Sequence, residues 1–248
     1  MKKILYSLGC KCDPHFTCQT FFREHTAPSL FAGTIQLQKE SDEFIPLKLF
    51  NGELEKYFFG LENWNEIERL SSKDFNSITD GIYRYVETKT RFQYFNNRQN
   101  RTFNLNPEID KYVFDSVPNH KCYINEKLHI MNTHASDKTP GTNPQYEDYQ
   151  RKKYDFFQNN KYKMIFLIYL HKNTREDQLI NFERYLYENG YDIDNFIIFN
   201  RVEKFNGINI KQVSMPDIDY DHSNQCYTQQ QHIMRLEINS KLTVSSGR

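Results

Sequence analysis

The seven-residue apolar run from Met164 to Leu170 constrains this chain more than any other segment. It falls well short of the ~20 apolar residues that a membrane span needs. A short, non-alternating apolar run of this kind reads as a strand buried on both sides. The residues after it keep a regular order. Thr174 is placed to cap a helix that runs to Glu188, and Gly190 is placed to end it. Strands are predicted at Phe196–Phe199 and Ile208–Val213, with a last helix near Thr228–Leu236. Before the run, Leu128–Thr133 alternates like a strand that ends at His134, and Tyr146–Asn159 is polar on one side and aromatic on the other.

At the start of the chain, Lys2–Leu8 reads as a strand that stops at Gly9. Asp13 then serves as N-cap, with Pro14 at the first position of a helix to Glu24, where its missing N–H costs nothing. Strands that alternate with helices predict an α/β fold, with a mostly parallel sheet and helices on both faces in a three-layer, Rossmann-like arrangement. Residues 26–125 break the order with short aromatic segments and are read as an irregular insertion or subdomain. One hairpin is expected there, between Tyr83–Glu87 and Phe92–Phe95. A single domain over residues 1–244 suits the length of 248 residues, with the terminal Ser-Ser-Gly-Arg left out of the fold.

Composition narrows the function. Lys and Arg total 32 against 32 Asp and Glu, so the net charge is zero and a dedicated nucleic-acid binder, which shows a basic excess, is not expected. Aromatic residues reach 15%, which excludes a disordered chain despite only 38% hydrophobic residues. The apolar stretch before Gly9 is shorter than the ~7–15-residue core of a signal peptide. The 5 cysteines are odd in number and irregularly spaced, which fits free thiols in a reducing compartment, so a cytoplasmic location is expected. No membrane span and no cofactor are expected, and the oligomeric state is left open. A small-molecule, glycan or peptide substrate is the expected partner.

In a parallel sheet, sites lie beyond the carboxyl ends of the strands. Cys12 falls in the strand-to-helix turn after Gly9, where a helix N-terminus lowers a thiol pKa and raises the thiolate fraction. N–H groups after Gly9 are placed to receive an oxyanion. His134 ends a predicted strand and is the candidate base, with Asp137 near enough to orient it. A second constellation joins Ser7 with Asp219 and His222 in the manner of an SGNH-type hydrolase, although the Gly-Asp-Ser block is absent. Cys10, Cys12, His15 and Cys18 cluster as a metal site would, but Cys-x-Cys is tighter than the usual zinc spacing, and no metal is assigned. Arg151 and Lys152 could contact a phosphate or carboxylate, set against the plainer reading of a solvated helix face.

The run Ser7-Leu8-Gly9-Cys10-Lys11-Cys12 resembles a poorly characterised family of papain-like cysteine peptidases. Members carry Ser-Leu-Gly-x-x-Cys after a strand, then a helix, a Pro-Phe-Asp-Trp-like block, a later His and a basic, Tyr-containing helix before an apolar strand. Cys12 matches the motif cysteine, His134 the later His, and Tyr149–Phe157 with Met164–Leu170 the helix and strand. Ala27–Ala32 occupies the place of the block but lacks its Asp and Trp. The resemblance implies thiol-dependent hydrolysis or acyl transfer. It also implies a link to surface polysaccharide, so a glycan or sugar-nucleotide transferase without a covalent thiol intermediate stands as an alternative. A non-catalytic carbohydrate-binding or scaffold domain is a third, suggested by the aromatic content of residues 56–114.

Overall fold

The structure is a computed structural model that describes residues 3–9, 13–31, 34–36, 44–60, 63–67, 84–88, 91–93, 103–104, 121–125, 127–128, 130–135, 144–170, 174–200, 204–216 and 224–244. Two compact units divide the chain. The first comprises Met1–Ala32, Asp42–Phe50 and Lys152–Arg248, and the second Gly33–Ser41 and Asn51–Arg151.

The first unit is built on a four-stranded, all-parallel sheet. Its strands are β1 (Ile4–Gly9), β9 (Met164–Tyr169), β10 (Phe196–Asn200) and β11 (Lys211–Ser214), adjacent in that order. β1 pairs with β9 from Ile4↔Met164 to Gly9↔Tyr169, and β10 pairs with both β9 and β11. Every residue of β9 and β10 is buried, as their unbroken apolar sequence requires in the middle of a parallel sheet. Beyond the sheet, the chain after the first helix lies along the other edge of β1. Thr26 bridges Leu5 in parallel, and the Ala27 N–H donates to the Leu5 carbonyl at 3.0 Å.

Side chains alternate along the strands, and each set has its own helices. Leu5, Ile165, Leu167, Tyr169, Ile197 and Phe199 form one cluster with Cys18 and Phe22 and with Met234 and Ile238. Cys18 belongs to α1 (Asp13–Phe21) and the last two to the long helix Asn224–Val244. The intervening residues Tyr6, Phe166 and Phe196 meet an aromatic set instead. Phe50 ends α2 (Ile45–Phe50), and its ring lies 4.9–5.7 Å from those of Phe157, Phe166, Phe182, Tyr191 and Phe196. The expected helix from Thr174 begins one turn-residue later, as Glu176–Glu188, because the Arg175 N–H donates to Gln178 Oε1 at 3.0 Å and the Arg175 side chain pairs with Asp177. Its end is the one expected: Gly190 takes φ 72°, and Tyr191 N–H donates to the Leu186 carbonyl at 2.9 Å while Gly190 N–H donates to that of Tyr187 at 3.1 Å.

In the second unit, α3 (Glu53–Phe58) follows Gly52, which takes φ 82°. The strands β2 (Thr34–Gln36), β3 (Asn65–Ile67), β7 (Lys121–Asn125) and β8 (Ile130–Ala135) form an antiparallel sheet in the order β2-β8-β7-β3. A further sheet joins β4 (Arg84–Thr88), β5 (Arg91–Gln93) and β6 (Phe103–Asn104), and β4 and β5 pair antiparallel as the alternation there predicts. One expectation is corrected here. The strand that carries His134 does not join the parallel sheet. A four-residue connection from Asn125 to Ile130 permits only antiparallel pairing, since a parallel return takes a dozen residues or more. Asn125 stabilises that turn by accepting the Leu128 N–H at 3.0 Å.

The helix α4 (Pro144–Asn160) has its residues up to Arg151 in the second unit and the rest in the first. The next helix, Glu176–Glu188, is α5, and Asn224–Val244 is α6. Among the described residues, no helix is long and apolar enough to cross a membrane.

Candidate functional site

The carboxyl ends of β1 and β9 are where the chain diverges. After β1 it goes through α1 to the 26–30 stretch on one side, and after β9 it goes through α5 to β10 on the other. In open α/β sheets, such a change of direction opens a crevice beyond the carboxyl ends of the strands. The edge stretch is held there by buried polar groups. Ser29 Oγ donates to the Ser7 carbonyl at 2.7 Å and accepts the Phe31 N–H at 3.0 Å, and the Leu30 N–H donates to Tyr6 Oη at 3.2 Å. Burial pushes the Tyr6 phenol well above its ordinary pKa, outweighing its hydrogen bonds with Leu30 and Ser29, so the hydroxyl stays neutral.

Two ionisable side chains meet this end of β1. His15, in the first turn of α1, is only 8% exposed, and its pKa is lowered from the ordinary 6.5 by burial first and then by the charge of Lys153. A neutral imidazole at pH 7 follows. Lys153 of α4 donates to the Ser29 carbonyl at 3.4 Å, and burial lowers its pKa to about 8. A cation beside a neutral ring, over a ledge of backbone fixed by Ser29, is an arrangement able to hold an anion or to change protonation near pH 8.

Sequence reasoning missed Lys153, although a signal was present. It lies three residues after the buried Gln150 and four before the buried Phe157, so the helical period turns it inward. Its neighbours behave otherwise. Lys152 is exposed. Arg151 is occupied by protein groups: Nε and Nη2 donate to Glu147 Oε1 at 3.2 and 3.1 Å, Nη1 lies 3.7 Å from Glu55, and the guanidinium sits 4.4 Å from the Phe59 ring centroid. Arg151 and Lys152 are thus both exposed, and the Arg151 guanidinium is engaged by a carboxylate of the same helix.

Ser7 does not stand in a turn. It is paired with Leu167 inside β1 and is 5% exposed, so a nucleophilic role there lacks access. Gly9 closes β1 opposite Tyr169. Cys18 points into the core, where burial raises its pKa to about 12, and it cannot complete a metal cluster with the turn cysteines. Among the described residues, no three His, Cys, Asp or Glu side chains gather as metal ligands would. His134 is the fifth residue of β8, in the antiparallel sheet of the second unit. Cys10, Cys12, Asp137, His171, Asp219 and His222 lie outside the described residues.

Comparison with protein-family models, with curated proteins and with solved structures finds no match to this chain.

Proposed function

We propose that this chain is a thiol-dependent hydrolase or acyl-transfer enzyme, papain-like by resemblance, with Cys12 as nucleophile. The observation that carries this reading is the divergence of the chain between β1 and β9, together with the start of α1 at Asp13, directly after Cys12 in the sequence. A helix N-terminus favours a thiolate over a thiol. In the reaction, the sulfur attacks an acyl carbon, a base takes the thiol proton and returns it to the leaving group, and water then cleaves the thioester. His134 with Asp137 is the base pair of this reading, supported by the order of cysteine before histidine along the chain.

The reading includes a three-layer, Rossmann-like arrangement, supported by the two separate side-chain sets that cover alternate residues of the parallel strands. A cytoplasmic location belongs to it as well, supported by the odd number of cysteines.

Alkylation tests it. Iodoacetamide is expected to label Cys12 and abolish ester or thioester turnover, while Cys18, with its pKa pushed up to about 12, stays unlabelled in the folded protein. Full activity in a Cys12→Ser variant would defeat the thiol reading. Together with nucleotide binding, it would establish the second reading, a glycan or sugar-nucleotide transferase. That alternative is favoured by the divergence of the chain between β1 and β9, since parallel sheets bind nucleotides at such points.

A further inference from the structure

We propose that Tyr162 and Tyr191 form an oxidative modification site, at which a peroxide-driven one-electron oxidant joins the two rings through a carbon–carbon bond. The pair lies at the amino end of β9 and takes no part in the thiol chemistry.

Turns on either side of β9 and α5 bring the two phenols together. Tyr162 is the middle residue of the turn Lys161–Lys163 that leads into β9, closed by the Met164 N–H donating to the Lys161 carbonyl. Tyr191 follows Gly190, whose φ of 72° reverses the chain, and its N–H donates to the Leu186 carbonyl at 2.9 Å. The rings stack with centroids 4.7 Å apart and planes 13° from parallel. At that spacing, carbon atoms of the facing rings are in van der Waals contact. Lys161 Nζ lies 5.9 Å from both centroids and donates to Gln158 Oε1 at 2.9 Å, so a cation tied to α4 attracts both rings. Behind the pair, Phe50 packs edge-on against Tyr191 at 5.0 Å.

Exposure gives the two residues different parts. Tyr162 is 62% exposed and Tyr191 only 7%, so an oxidant in solution reaches Tyr162 first. Burial, and then the hydrogen bond with Tyr162, push the Tyr191 phenol far above its ordinary range, so it keeps its proton. That hydrogen bond also gives the proton a route. The first oxidation takes an electron from Tyr162 and releases its phenolic proton to water. Tyr191 then passes an electron and its proton to the Tyr162 oxygen, which restores Tyr162 and leaves the radical on Tyr191. A second oxidation of Tyr162 makes the second radical. The radicals couple between ring carbons ortho to oxygen, and each ring regains aromaticity as the hydrogen on its coupled carbon moves to the oxygen. Two electrons and two protons have then left the chain, and with two further protons from water those electrons reduce one hydrogen peroxide to two waters. The new bond closes a loop around β9 and α5, which restricts the unfolded chain as a disulfide does.

The test treats the full chain with a haem peroxidase and hydrogen peroxide, then maps its proteolytic fragments by mass spectrometry. The expected product is a fragment pair linked between Tyr162 and Tyr191, lighter by two hydrogen atoms and carrying dityrosine fluorescence. Tyr162→Phe and Tyr191→Phe should each lose it, since phenylalanine keeps the stack but gives no phenoxyl radical. Treatment in urea should lose it as well, because only the fold pairs these two among 17 tyrosines. The linked chain should unfold at a higher urea concentration than the untreated one. Absence of the linked pair, a link to the exposed Tyr187 or between two chains in its place, an equal yield in urea, or an unchanged unfolding midpoint would overturn the proposal. A Cys12→Ser variant should give the same product, so the outcome is separate from the thiol question.

Discussion

Replacing Lys153 by methionine should make the protein more stable at neutral pH. In the fold, burial lowers the ammonium pKa from 10.5 to about 8, whereas the unfolded chain keeps the ordinary value. Between those two values the unfolded state binds one more proton than the folded state, so stability rises with pH there. Below pH 8 both states are protonated, and the folded state bears the full cost of the buried charge. The difference between 10.5 and about 8 sets an upper bound of about 3 kcal/mol on that cost. Partial solvent access lowers the working figure to about 1–3 kcal/mol. Methionine has a similar length and no charge, and it gives up the 3.4 Å hydrogen bond to Ser29. Urea denaturation of both proteins from pH 6 to pH 10.5 measures the effect, since the difference between them cancels other titrations. The variant should be more stable by about 1–3 kcal/mol at pH 7, and the gap should close as the pH passes 10. A variant less stable than the parent at pH 7, or a gap that does not change with pH, would refute the reasoning.

Glu183, 6% exposed on α5, accepts Asn209 N–H at 2.7 Å, Ile210 N–H at 2.9 Å and Asn209 Nδ2 at 2.7 Å, so it ties the approach to β11 to the helix. Glu183→Ala should cost about 3–5 kcal/mol in urea unfolding and Glu183→Gln about half of that, because the amide keeps one acceptor. Phe50 is 2% exposed and stands among five aromatic rings. Phe50→Ala should lower stability by about 3–5 kcal/mol, and Phe50→Leu by clearly less, as measured by thermal or urea unfolding.

The comparison of Arg151 with Lys153 shows how far the sequence reaches into the site. Three consecutive basic residues look alike as letters, and Arg151 is the better chemist for a planar anion. Only position on the helix separates them: Glu147 and Phe59 claim the guanidinium, while the period through Gln150 and Phe157 carries Lys153 inward. His15 shows the same limit. It was grouped with Cys18 as a metal ligand by closeness in sequence, yet Cys18 belongs to the core and His15 to the end of β1.

Local patterns by themselves determined the central parallel strands, since an apolar run such as Met164–Tyr169 has no stable place except the interior of a covered sheet. They also determined the helix that Gly190 ends, because a left-handed residue there suits glycine alone among common residues. Tertiary structure decided which strands share a sheet. His134 went to an antiparallel hairpin because a short connection, not the strand's own alternation, sets its partner. It also decided that the edge of β1 opposite β9 would be covered by Thr26 and Ala27, which have no strand-like pattern. The contact of Lys153 with the Ser29 carbonyl joins residues 124 positions apart, and spacing along the chain carries no record of it.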